Sequence, residues 1–237
     1  MRRLYISESA LSEMFWSRLL GSSDAAVAKA DAELIIRETK IIHRKFPQDT
    51  AGSISLESTA MLWLIAKYFE PTHVFEIGTF IGRSAMAILS GASTSIERLD
   101  TCDYTFNQFY FTDSLKASIP KYQALNYWPL MGSVQVLQQV ITNNLRPDMF
   151  FIDGRIGADD LKLLSMLDRS KTVYVLDDFE GTEKGVENCI ALRSLYPEYI
   201  LIRPYTLSNG RSMNTAILVP PSLLAISRQQ ELPISMQ

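Results

Sequence analysis

The sequence predicts an α/β protein built on a seven-stranded, mostly parallel sheet with helices on both faces, and three observations carry that expectation. Strand-like runs alternate with helical stretches through most of the 237 residues, as in parallel βα units joined by right-handed crossovers. The first of these strands runs into a turn with two glycines that opens a helix. The last two strand-like runs lie too close for a helix between them, so they should form an antiparallel hairpin across Ser208-Asn209-Gly210.

The elements follow in order. Residues 24–45 read as a helix entered at Ser23-Asp24 and stopped before Pro47, with Val27, Leu34, Ile35, Ile41 and Ile42 at its apolar positions. A Gly52-Ser53 loop leads to a second helix over residues 56–69, ended by Glu70-Pro71. The strand at Val74-Phe75-Glu76-Ile77 follows, then the helix beginning near Ser84. Six further strands are expected at 98–103, 127–131, 149–153, 173–177, 199–203 and 215–219. Helices are expected between them at 107–118, 133–141, 158–167 and 184–195. The domain reading is an N-terminal helical extension over 1–51, serving as a substrate lid or a dimer contact, and one catalytic domain over 52–237.

Composition narrows the class. Apolar residues make up 47 % of the chain, enough for an ordinary soluble core. A net charge of -3 lacks the basic footprint that nucleic acid requires, so no nucleic-acid partner is expected. Lys67 interrupts the longest apolar stretch, which argues against a membrane span. Arg2 and Arg3 are followed by acids and serines rather than a signal-peptide core. Cys102 and Cys189 are too few for a disulfide framework or a zinc site; buried thiols suit a reducing, cytoplasmic setting.

The informative run is Glu76-Ile77-Gly78-Thr79-Phe80-Ile81-Gly82-Arg83-Ser84. Its glycines allow a sharp turn and close approach of a ligand to the main chain. The N–H groups of the next helix suit a ligand carboxylate or phosphate. Dinucleotide folds read GxGxxG; here the spacing is wider, and Glu76 would repel a pyrophosphate but attract an ammonium or sulfonium group. That points to S-adenosyl-L-methionine (SAM) rather than NAD. No Tyr-x-x-x-Lys or comparable hydride-transfer constellation supports an NAD-linked oxidoreductase. The run resembles motif I of class I SAM-dependent methyltransferases, in the E-x-G-x-x-x-G-x-S form of the catechol and caffeoyl-CoA O-methyltransferase group. Ile152-Asp153-Gly154 followed by Asp177-Asp178 is similar also to the small bacterial cephalosporin-type branch. The resemblance covers roughly residues 52–220, and it implies a Rossmann-like core of five parallel strands closed by an antiparallel hairpin.

Ligands of such sheets sit outside the carboxyl ends of the strands, and here those ends deliver Glu76, Asp103, Asp153 and Asp177-Asp178. Five carboxylates on one rim repel one another unless cations neutralise them. The resemblance implies roles. SAM would lie across Gly78, Thr79, Ser84, Asp103, Gly132, Ser133 and Asp153, with Glu76 facing its amino group. Asp103 would take the ribose, with Asp100 as the rival. Gly132-Ser133-Val134-Gln135 would meet the adenine, although Ser133, like Ser84, could equally cap its helix. Asp153, Asp177 and Asp178 would hold a divalent ion, Mg2+, against a small hydroxylated acceptor, and Asp153 and Asp178 would be the catalytic pair. A polar strand end is the plainer reading of the same aspartates. One position departs from the pattern: Ile156 stands where relatives carry a Lys or His base. Arg155 cannot accept a proton, and His43 and His73 read as structural. The same isoleucine supports the alternative of a SAM- or nucleoside-binding protein without catalysis.

Overall fold

The computed structural model describes residues 37, 39–42, 44–46, 53–104, 116–117, 119–168, 170–202 and 214–223. Most of the expected N-terminal helix, with His43, most of the helix at 107–118, the Ser208-Asn209-Gly210 turn and the tail beyond 223 lie outside the described residues. Seven strands form one sheet: β1 (His73–Ile77), β2 (Arg98–Asp103), β3 (Leu125–Pro129), β4 (Met149–Ile152), β5 (Val173–Leu176), β6 (Ile200–Ile202) and β7 (Ala216–Val219), in the order β3-β2-β1-β4-β5-β7-β6. Strands β1 to β5 are parallel. β7 enters antiparallel between β5 and β6, pairing Val175 with Ile217 and Leu201 with Leu218, so the expected hairpin closes the sheet.

The central strands are hydrophobic on both faces because both faces are covered. Val74, Phe151 and Val175 pack on one side with Leu62 and Ile65 of α1 (Leu56–Phe69) and Met86 and Leu89 of α2 (Arg83–Gly91). Their neighbours in the strands, Phe75, Phe150, Ile152 and Tyr174, face the other side. There they meet Val136 and Leu137 of α3 (Ser133–Thr142), Leu164 of α4 (Ala158–Leu164) and Leu192 of α5 (Lys184–Leu195). Tyr174, Tyr196 and Tyr199 continue this second core as a stack, with the Tyr174 hydroxyl donating to Tyr196 and Tyr196 to the Leu164 carbonyl.

Local chemistry sets the ends of α1. The Ser55 hydroxyl accepts the Ser58 N–H at 3.0 Å, and Glu70 turns left-handed at φ 45° before Pro71, which cannot continue a helix. The expected bounds of α1, β2 and α5 agree with the structure. β3 begins and ends two residues before its expected bounds: a 3-10 turn at Tyr122–Ala124 feeds it, and Leu130 leaves extended backbone at φ 59°. α4 stops at Leu164 rather than 167.

The strand order reverses between β1 and β4, which opens a crevice at their carboxyl ends. Helices α1 and α2 meet closely at the far end of α2 because Gly91 has no side chain. A Cβ there would overlap the Trp63 carbonyl oxygen and lie 3.0 Å from the Ala66 methyl. Alanine in place of glycine inside a helix ordinarily stabilises by about 1 kcal/mol, but overpacking costs about 1–3 kcal/mol. Gly91→Ala should therefore destabilise the protein, seen as a lower urea midpoint with unchanged slope.

Candidate functional site

The turn after β1 is pinned to β2. The Gly78 and Thr79 N–H groups both reach the Cys102 carbonyl, at 3.0 and 3.3 Å. Gly78 (φ 99°) and Gly82 (φ 85°) are left-handed, which makes glycine the natural residue there. A Cβ on Gly78 would also press on the Asp153 main chain at 3.2 Å. The glycine loop and the end of β4 are thus in direct contact, across the crevice where the strand order reverses.

Glu76 lies beneath this loop with 0 % exposure, and neither carboxylate oxygen has a hydrogen-bond partner. The Ser84 and Thr101 hydroxyls are near enough to lower its pKa, without reaching ordinary hydrogen-bond geometry. Burial outweighs them, and Asp153 and Asp103 add repulsion, so the carboxyl is pushed up to about 8. An acceptor pair of this kind, stranded inside a protein, costs stability and suits a cationic or N–H donor from a ligand.

The two candidate ribose acids separate. Asp100 is fully buried and consumed by the protein: it accepts from His73 Nε2 at 2.8 Å, Arg98 Nε at 2.6 Å and Trp128 Nε1 at 3.0 Å. Although burial pushes the other way, these partners hold its pKa below the usual carboxylate range. Asp103, half-buried at the rim, accepts the Phe80 N–H at 2.8 Å and so fastens the glycine loop to β2. His73, paired with Asp100 at the start of β1, is at the opposite end of the strand from the rim.

Some expected contacts are otherwise engaged. Gly82, not Ser84, is the N-cap of α2, so the buried Ser84 hydroxyl is left to face Glu76. The Thr79 hydroxyl is 2.6 Å from that of Thr101. Gly132 is the N-cap of α3, and its N–H donates to Gln135 Oε1. The Ser133 hydroxyl, expected either at adenine or as a cap, instead donates to Asp160 Oδ1 on α4 at 2.6 Å. Side-chain contacts of Thr79 and Ser133 with a ligand thus compete with bonds inside the protein.

At the aspartates expected to hold a metal, the structure sets a cation of the protein's own. A residue absent from the sequence reading, Lys184, places its Nζ 2.6 Å from Asp153 Oδ1 and 3.0 Å from Asp178 Oδ2. Burial would lower Lys184, but the two carboxylates outweigh it and raise its pKa. Asp177 is turned to other partners: its Oδ1 accepts the Thr215 hydroxyl at 3.0 Å, and burial together with Asp178 pushes it up to about 6. Asp153 is pushed up to about 7 by burial and Asp177, with Lys184 opposing. Magnesium wants several hard oxygens converging on one octahedron. Among the described residues no three acidic, histidine or cysteine side chains converge in that way. One oxygen of Asp153 and one of Asp178 meet an ammonium, and Asp177 faces Thr215, so as arranged the three carboxylates do not form the octahedral set that the ion wants. Ile156 supplies only its N–H, which donates to Asn188 Oδ1. The signal for Lys184 was present in the sequence as a lysine at the start of a helix soon after Asp177-Asp178.

No protein-family model matches the sequence, and no curated protein matches it. Solved structures share its fold. They include the O-methyltransferase from Bacillus cereus in complex with SAH, 17 % identical over 87 % of this chain and 96 % of that one, TM-score 0.51. The O-methyltransferase TomG from Streptomyces achromogenes, involved in tomaymycin synthesis and in complex with SAM, is 18 % identical over 88 % and 95 %, TM-score 0.54. Cofactor-bound Rv0187 from MTB is 15 % identical over 91 % and 98 %, TM-score 0.53. At these identities the likeness is one of fold alone. Among the described residues no helix is long and apolar enough to cross a membrane.

The state of Glu76 gives a stability test. Its pKa of about 8 in the folded chain stands against 4.5 when exposed. Between those values the folded protein keeps a proton that the unfolded chain has lost, so this group's contribution to stability falls as pH rises from about 4.5 to about 8. Glu76→Gln cannot ionise. Thermal denaturation of the ligand-free protein should show the variant close to wild type at pH 5. At pH 9 it should be more stable, by on the order of a few kcal/mol. Equal stabilities at pH 9 would mean that the charge is already satisfied in the free protein.

Proposed function

We propose that the chain is a SAM-dependent methyltransferase that methylates a hydroxyl oxygen of a small molecule. The observation that carries this reading is Glu76, whose two carboxylate oxygens are buried without partners under the glycine loop at the point where the strand order reverses. A cationic amino group set against them would relieve the cost of their burial. The loop's open backbone, the N-terminus of α2 and Asp103 at the end of β2 extend the same site in the order that methionine carboxylate and ribose require.

When bound, SAM would supply an electrophilic methyl group to the acceptor oxygen, with its sulfur as the leaving group that keeps the bonding electron pair. The protein's part is to bind, align and accept a proton. Glu76 and Ser84 receive the amino-acid end; Asp103 receives the ribose. Asp178, part-exposed at the crevice, takes the proton that the acceptor hydroxyl gives up and passes it to water. Asp153 is at the end of β4 against Gly78, and in this reading it would stand between cofactor and acceptor. Most of the rate enhancement must come from holding oxygen, carbon and sulfur in line. The donor set does not fit magnesium, so the transfer is proposed without a metal step. A binding protein without catalysis is the second reading, favoured by Ile156 in place of the expected base.

Calorimetric titration tests the reading directly: SAM should bind and NAD should not. Asp103→Ala should weaken SAM binding by about 1–3 kcal/mol, the cost of stranding hydrogen-bonded ribose hydroxyls, with the fold intact by circular dichroism. Asp100→Asn should instead lower stability, because it strips charge from a buried cluster. SAM affinity unchanged in Asp103→Ala would remove Asp103 from the ribose. Transfer from a chiral methyl group should proceed with inversion; retention would require two successive transfers and is incompatible with this mechanism.

A further inference from the structure

Lys184 is the first residue of α5, the end at which aligned peptide dipoles already place positive charge. An ammonium there is held against that field, so something must outweigh it. The carboxylates of Asp153 and Asp178, one from the end of each of two neighbouring strands, do so at 2.6 and 3.0 Å. The backbone is shaped for the meeting. The next residue, Gly185, lies so close under the β5 loop that a Cβ would overlap the carbonyl oxygens of Asp177 and Asp178. Asp178 takes a left-handed φ of 50°. One turn further along α5, Asn188 donates to the Gly154 carbonyl at 2.7 Å and accepts the Ile156 N–H, clamping the loop after β4 to the same helix.

We propose that Lys184 is the resident cation of this site, standing between the aspartates of β4 and β5 in place of a divalent metal and presenting its remaining N–H to the acceptor oxygen. The proposal rests on the methyltransferase reading above. A lysine ammonium has three donors, and the two aspartates account for two. The third can hold one oxygen, whereas a metal with open positions can chelate a pair. The acceptor class that fits is therefore a molecule gripped through a single hydroxyl, with no need for a vicinal diol or catechol. Lys184 keeps its protons throughout: it supplies charge and one hydrogen bond, and does not act as a base.

The test uses Mn2+ as the probe, followed by electron paramagnetic resonance of the full-length protein saturated with S-adenosylhomocysteine. Wild type should leave the spectrum that of the free ion. Lys184→Ala, freed of the ammonium, should bind Mn2+ at least about tenfold more tightly, and adding Asp153→Asn should abolish the gain. Lys184→Gln, which removes the charge but keeps much of the side chain, serves if the alanine variant does not fold. The proposal is overturned if wild type takes up Mn2+ and Asp153→Asn removes it. It is equally overturned if a charge-removed variant that still binds S-adenosylhomocysteine gains no Mn2+ affinity. Failure of wild type to bind S-adenosylhomocysteine would bring down the methyltransferase reading instead, while the Mn2+ comparison still decides for or against Lys184 as the cation of the rim.

Discussion

A parallel sheet covered on both faces can carry charge inside a strand only where the protein neutralises it, as at Asp100, and otherwise carries it at the strand ends. Here Val74, Phe75, Phe150, Phe151, Val175 and Leu176 are buried, and Glu76, Asp103, Asp153, Asp177 and Asp178 collect at one edge. Parallel strands bring their carboxyl ends to the same side, and neighbours lie about 5 Å apart. Acids at those ends must interact. The rest of the site consists of the ways in which that crowding is relieved.

Each acid is relieved differently. Asp103 spends itself on the Phe80 N–H, and Asp177 leans on Thr215. Asp153 and Asp178 share Lys184. Glu76 alone receives no hydrogen bond, and it is the most deeply buried of the five. The inner acid is thus left without a hydrogen bond inside the protein, whereas each outer one has at least one partner there.

The fold was legible in the sequence because its signals are local. Alternating strand-like runs and helices imply a parallel sheet, and Glu70-Pro71 ends a helix wherever it occurs. The glycine loop was legible for the same reason: Gly78 and Gly82 adopt the positive φ that their identity allows. The partner choices of the polar side chains were not legible. Ser133 and Asp160 are a helix apart, and Thr79 meets Thr101 only because β1 and β2 pair in a particular register. The aspartates of β4 and β5 resemble a family's metal site in sequence, and that resemblance says nothing of an ammonium that arrives from α5. Asp100 and Asp103 could be told apart only once Arg98, His73 and Trp128 were seen gathered around the former.

The contact of Gly185 with the carbonyls of Asp177 and Asp178 reaches beyond this molecule. It ties the identity of one residue to the chemistry of its neighbour: a lysine can stand at the rim only if the chain immediately after it has no side chain. Asp-Asp, five residues, then Lys-Gly, as in 177–185, is consequently a compact signature. Searched for in chains of the same fold, it would mark those in which a lysine at the start of a helix reaches the acids that end two neighbouring strands.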